Sequence, residues 1–223
     1  MILSASEHLR VSEAVARAEA GTSGEIVTIL ADRSDGYTDV ALAWAAAVAL
    51  IALAALALSP SLYLYLVEWL LGGWVHAWAP GELFTVAAVT AALTFGATML
   101  LQLLSGLRFF LIPGPIKAAR VHERAMRAFR IGAEQRTRAR TGVLIYLSMG
   151  EHRAEVLADA AIATKVEADV WCDALEAMLA DVRKGDVAGG ICTAVERIGA
   201  LLAEHFPHNT TDTNELPDRL IEV

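Results

Sequence analysis

The chain has 223 residues, 56% of them hydrophobic and 20% charged, with a net charge of −8 at pH 7. Such a length suits one domain or two small ones, but a mean hydropathy of +0.47 is too apolar for an ordinary soluble chain. The acidic balance argues against a nucleic-acid partner, and 2 cysteines are too few for a disulfide scaffold.

The chain opens with Ser4-Ala5-Ser6-Glu7, the form of a capping box in which a serine hydroxyl accepts from a free amide and a glutamate reaches back. Leu9, Val11, Ala14, Val15 and Ala18 follow at helical spacing, so a helix is expected over 6–20. Gly21-Thr22-Ser23-Gly24 breaks it, and EIVTILA over 25–31 is a short β-branched run that reads as a strand.

Between Arg33 and Arg108 there is no lysine or arginine. Residues 40–58 (VALAWAAAVALIALAALAL) form an uncharged run of about 19 residues, which as a helix rises about 28 Å and crosses a hydrocarbon core. Residues 83–104 (LFTVAAVTAALTFGATMLLQLL) are a second crossing. Ala-rich faces and Ala92-x-x-x-Gly96 allow close contact between the two. The stretch 61–79 between them carries Glu68, His76 and the rings of Tyr63, Tyr65, Trp69, Trp74 and Trp78. Rings with polar tips settle at the headgroup level, so this segment is expected to lie in the interface.

Residues 108–140 hold Arg108, Lys117, Arg120, Arg124, Arg127, Arg130, Arg136, Arg138 and Arg140 against Glu123 and Glu134. The side following the second crossing is therefore cytoplasmic, with both termini there, and a multi-pass protein of the inner (cytoplasmic) membrane with two spans is expected. No signal peptide is visible at the N-terminus. Cys172 and Cys192 are expected to be reduced, buried or half-buried residues.

Residues 117–131 place Val121, Ala125, Ala128 and Phe129 on one helical face. Residues 141–148 and 153–158 read as a hairpin about Met149-Gly150-Glu151-His152, and two helices follow, the second capped by Asp186. A strand, a crossover helix and a parallel strand form a βαβ unit, so 25–31 should lie beside 141–148 with the apolar hairpin inserted in the crossover. The expected parts are 1–38, the first piece of a small α/β domain; 39–112, the transmembrane hairpin; 113–206, the second piece; and 207–223, a tail.

This arrangement resembles the TPM-domain family, the TPM phosphatase domain, over residues 4–35 and about 117–206. The resemblance rests on GEIVTILADRSDGY, on RAMRAFRIGAEQRTRARTGVLIYLSMGEHRAEVLAD and on KGDVAGGI; the closing NELPDRLIEV is similar to the tail of a bacterial membrane branch. It implies a three-layer α/β/α sandwich, often tethered to a membrane, whose relatives include a plant acid phosphatase and an animal protein that modulates a receptor channel. In phosphatase-like members, acidic residues before the central strand and a glycine-rich loop after the hairpin suit a divalent cation. Here Arg138, Ala139, Arg140 and Thr141 precede Gly142, and residues 159–166 lack those glycines.

Asp32 and Asp35 follow the first strand, where open α/β sheets place ligands. With Asp159 they are the candidate catalytic residues of a divalent-metal phosphatase using Mg or Ca, although aspartate also serves ordinary turn chemistry at such positions. His205 and His208 form an H-x-x-H pair without the third ligand a catalytic zinc wants. Lys117, Arg120, Arg124, Arg127 and Arg130 recur every three or four residues and form a stripe suited to an anionic lipid surface. The reading favoured by these residues is an accessory or interaction protein without a cofactor, whose partners are anionic lipid and a membrane protein or a second copy; phosphatase chemistry is the alternative.

Overall fold

The computed structural model describes residues 2–72, 78–131, 141–208 and 219–223. Trp74, His76, Glu134, Arg136, Arg138, Arg140 and half of the closing NELPDRLIEV lie outside the described residues. In chain order the elements are α1 (Ala5–Glu19), β1 (Glu25–Ala31), α2 (Thr38–Leu58), α3 (Pro60–Leu71), α4 (Pro80–Leu101), α5 (Ser105–Leu111), α6 (Gly114–Phe129), β2 (Gly142–Ser148), β3 (Arg153–Ala158), α7 (Ala160–Ala163), α8 (Ala168–Arg183), α9 (Val187–His205) and β4 (Ile221–Glu222). Two compact units result: Met1–Asp35 with Gly114–Val223, and Gly36–Pro113.

The first unit is a three-layer α/β/α sandwich around a sheet of order β3-β2-β1-β4. The strands β1 and β2 pair in parallel from Glu25↔Gly142 to Ala31↔Ser148, and β2 pairs antiparallel with β3. Every residue of β1 and β2 is buried, which is why both read as mostly apolar runs without alternation, as parallel strands covered on two faces do. Ile26, Leu30, Val143, Ile145 and Leu147 face the larger core with α1, α8 and α9. Val27, Ile29, Leu144 and Tyr146 face the smaller one with Val121, Ala125 and Phe129 of α6. The capping box of α1 forms between Ser4 and Glu7, and Asp186 caps α9 by accepting from the Gly189 amide at 2.7 Å. Cys192 is buried, whereas Cys172 is exposed on the outer side of α8; the expectation of two shielded thiols holds for one.

The C-terminal residues do not form a loose tail throughout, because β4 adds to the free edge of β1 through Ile29↔Ile221 and Leu30↔Glu222. Two residues leave no periodicity to read, and side-chain contacts hold them. The Glu222 carboxylate accepts from the amides of Ile2 (3.1 Å) and Leu3 (2.9 Å) and meets the His8 ring at 2.9 Å. Burial opposes its ionisation, but those three partners together hold its pKa below the ordinary carboxylate value. A carboxyl group with a depressed folded-state pKa contributes stability that is complete above the unfolded value and lost as pH falls through the folded one. Thermal unfolding followed from pH 6 down to pH 3 should therefore show a drop below about pH 4 that is smaller in Glu222→Gln; equal pH slopes would refute the contribution.

The second unit contains two helices long and apolar enough to cross a membrane, Thr38–Leu58 and Pro80–Leu101. They pack against each other antiparallel, with Gln102 Nε2 donating to the Ala41 carbonyl at 3.1 Å. Small residues at Ala41, Ala45 and Ala49 are buried positions of α2. The expected contact at Ala92 and Gly96 is not where the helices meet: a Cβ at Gly96 would touch nothing within 4 Å. Thr90, Thr94 and Thr98 of α4 return their hydroxyls to carbonyls four residues earlier, at 2.7 Å each, which satisfies them without water. The connecting helix α3 has 12 residues and rises about 18 Å, too short to cross a bilayer core.

Candidate functional site

The C-terminal ends of strands in an open α/β sheet are its usual ligand-facing edge. Here β1 and β2 end side by side at Ala31 and Ser148. Their exits are tied together, since the Met149 amide donates to the Ala31 carbonyl at 2.9 Å and the Gly150 amide to the Asp32 carbonyl at 2.7 Å. Above them Glu151 folds inward and is 5% exposed. Both its oxygens accept from the Ser34 amide at 3.1 Å, and it accepts from the Ser148 hydroxyl. The Ser34 hydroxyl donates to Ser148 Oγ at 3.0 Å, so at 3.1 Å the Tyr146 phenol must donate to Ser34. Burial raises the Tyr146 pKa, against the opposing effects of Ser34 and the Arg124 charge. The phenol therefore stays a donor at neutral pH.

Beside this polar knot runs α6. Its buried positions Val121, Ala125 and Phe129 turn toward the sheet, and its basic residues flank them. Ser34, Asp35, Arg120, Glu123, Arg124 and Arg127 line one open cavity of about 200 Å³. Arg120 Nε meets Asp35 Oδ2 at 3.0 Å and its Nη1 meets Glu123 at 3.8 Å, while Arg127 pairs with the same glutamate. Three guanidinium groups and two carboxylates stand in the lining itself, with the Glu151 carboxylate buried behind Ser34. That lining suits an anionic group better than a divalent cation.

The three aspartates singled out in the sequence do not converge. Asp32 is exposed, and Asp35 engages Arg120. Asp159 is 4% exposed and accepts from the Gly142 amide at 2.9 Å, at the opposite end of the sheet. The length of a seven-residue strand, about 23 Å, separates it from the other two. The reason is directional: Asp159 follows β3, which runs antiparallel to β2 and returns the chain to where β2 begins. Among the described residues no group of three or more His, Cys, Asp or Glu is placed to share a metal ion. His122 meets Glu155 at 3.0 Å, and the His208 amide donates to the Gly21 carbonyl at 3.3 Å.

Of the basic stripe, Arg120, Arg124 and Arg127 share the cavity, while Lys117 is half-buried and Arg130 exposed. Sequence reasoning missed Ser34, Tyr146, Ser148 and Glu151. The available signal was Ser148, the hydroxyl that closes an otherwise apolar strand, followed three positions later by a carboxylate.

Among proteins of curated function, none matches the chain. Its fold is similar to that of the BA42 protein from the psychrophilic bacterium Bizionia argentinensis, solved by NMR. The two align over 99% of this chain and 95% of that one, with a TM-score of 0.56 and 18% identity, a likeness of fold alone. Residues 112–201, which carry α6, β2, β3, α7, α8 and most of α9, match the model of the TPM domain. Residues 112–201 thus carry a match to the TPM domain, and residues 1–35 join that segment in one compact unit.

Proposed function

We propose that this chain is an integral protein of the inner (cytoplasmic) membrane. Helices α2 and α4 span the bilayer as a hairpin, α3 lies at the far headgroup layer, and both termini are cytoplasmic. The TPM domain then works as a non-enzymatic accessory module that contacts anionic lipid and a membrane-protein partner or a second copy. The observation that carries the reading is the outward apolar surface of both helices. Only 22% of the most apolar window of Thr38–Leu58 and 6% of that of Pro80–Leu101 is buried. The core helix of a soluble protein would be mostly buried, and patches of this size do not face water. The orientation rests on charge: Arg120, Arg124, Arg127 and Arg130 follow α4, and no basic residue lies between α2 and α4. An interaction role is favoured over metal-dependent phosphatase chemistry because Asp159 stands at the other end of the sheet from Asp32 and Asp35.

Labelling of the full chain in intact cells tests this. After alkaline carbonate washing the protein should remain in the membrane fraction. A membrane-impermeant maleimide should label Ser59→Cys from outside, and the exposed Cys172 only after permeabilisation. Release by carbonate, or labelling of Cys172 in intact cells, would refute the topology. Cross-linking in native membranes should yield a partner or a homo-oligomer; monomer alone would refute the accessory role.

A further inference from the structure

Among the described residues, the α6 face of the sheet is only partly covered. A helix with its side chains is about 10 Å wide and spans roughly two strands set about 4.8 Å apart. Among the described residues, α6 is the helix that packs on this face, toward β2 and β3. The half formed by β1 and β4 carries a second cavity, of about 320 Å³, within the range of ligand pockets. Val27 and Ile29 form its floor, and Ile131, Ile221 and Val223 form its sides. Its lining is aliphatic apart from Tyr146, Arg124 and Arg127.

Those two arginines carry the inference, because they also line the polar cavity with Ser34, Asp35 and Arg120. A basin lined by three guanidinium groups and an aliphatic groove thus share a wall. We propose that the pair forms one binding site for a single-chain lipid phosphate, with its phosphate in the basin against Arg124 and Arg127 and its hydrocarbon chain in the groove. Guanidinium groups offer five donors in a planar fork that matches phosphate oxygens. The pairs with Asp35 and Glu123 hold the Arg120 and Arg127 forks in place, which reduces the ordering required on binding. The groove favours a hydrocarbon over a peptide, because an extended backbone lying on Val27 and Ile29 would leave amides and carbonyls unpaired. The site lies wholly within the sandwich unit and does not rest on the membrane reading.

The test uses the full chain in nanodiscs of zwitterionic lipid, with a diazirine-bearing alkyl phosphate as photoaffinity probe and cross-links mapped by mass spectrometry. The expected label falls on Ile131 and on the stretch Leu220 to Val223, and excess dodecyl phosphate prevents it. Dodecanol or inorganic phosphate at the same concentration should not. Arg127→Gln removes a head contact and Ile131→Trp fills the groove; each should cut labelling about tenfold. Both positions are exposed, Ile131 at 71%, so the unfolding temperature should not change, and Arg124→Gln should add to the loss. Label confined to α2 and α4, labelling unaffected by Arg127→Gln, or protection by inorganic phosphate equal to that by dodecyl phosphate would each overturn the proposal. So would stronger displacement by an acidic amphipathic peptide.

Discussion

Gly190→Val should lower the unfolding free energy by about 3 kcal/mol, seen as a fall of roughly 6–12 °C in the midpoint of thermal unfolding. Helix α9 lies between α8 and α1, and a glycine stands at each crossing. A Cβ at Gly190 would sit 2.6 Å from the Met178 carbonyl oxygen and 2.9 Å from a Val182 methyl. A Cβ at Gly199 would sit 2.6 Å from the Ala18 Cβ. The carbonyl belongs to the backbone of α8 and cannot turn aside, so the helices must separate. Valine has slightly better helix propensity than glycine, by a few tenths of a kcal/mol, and the clash outweighs that. Ala200→Val, on the exposed side of the same helix, should cost less than about 1 kcal/mol. Comparable losses in the two variants, measured on the full chain in detergent, would show that the crossing is not close-packed.

Glu151→Ala is expected to cost about 2–3 kcal/mol. Glu151 is the terminal acceptor of a directed chain: Tyr146 donates to Ser34, Ser34 to Ser148, and Ser148 to the carboxylate, which also accepts the Ser34 amide. Alanine leaves a half-buried amide and a buried hydroxyl without acceptors, and an unsatisfied buried donor costs more than a hydrogen bond contributes. Glu151→Gln keeps one acceptor oxygen and should lose less than half as much. The readouts are thermal unfolding and proteolysis between Asp32 and Asp35, which should become faster when the knot is cut. Equal stability of Glu151→Ala and the parent chain would remove the knot as the element that positions Ser34 beside the arginines.

Much of the fold is legible from residue pattern. EIVTILA and GVLIYLS announce two strands, and the βαβ rule places them side by side in parallel, the pairing seen from Glu25↔Gly142 onward. Ser4 and Asp186 are read correctly as caps because capping depends on residues three apart in sequence. What fails to show is whatever depends on long-range return. The strand β4 is two residues whose Glu222 meets the Leu3 amide and the His8 ring of α1 at the other end of the chain. Position after a strand groups Asp159 with Asp32 and Asp35, but β3 runs antiparallel to β2 and carries Asp159 to the opposite end of the sheet. Arg120, Arg124 and Arg127 are legible as a stripe, but the aliphatic groove beside Arg124 and Arg127 is not, because among the described residues it depends on how far α6 reaches across the sheet.

The interruption of the sandwich has a consequence for how the chain is made. The Thr141 hydroxyl donates to the Ser23 carbonyl across 118 positions of sequence, and every contact between β1 and β2 spans a similar gap. At about 5–20 residues per second, the ribosome delivers β1 on the order of ten seconds before the strand that covers it. Over that interval α1 and β1 hold most of their apolar surface unshielded, because α9 is made later still. The domain cannot mature from its N-terminus forward, and its first piece must be kept from other partners until the whole apolar unit has been synthesised. Truncation anywhere before Gly142 should therefore leave a product that quality control removes, however well the hairpin itself is formed.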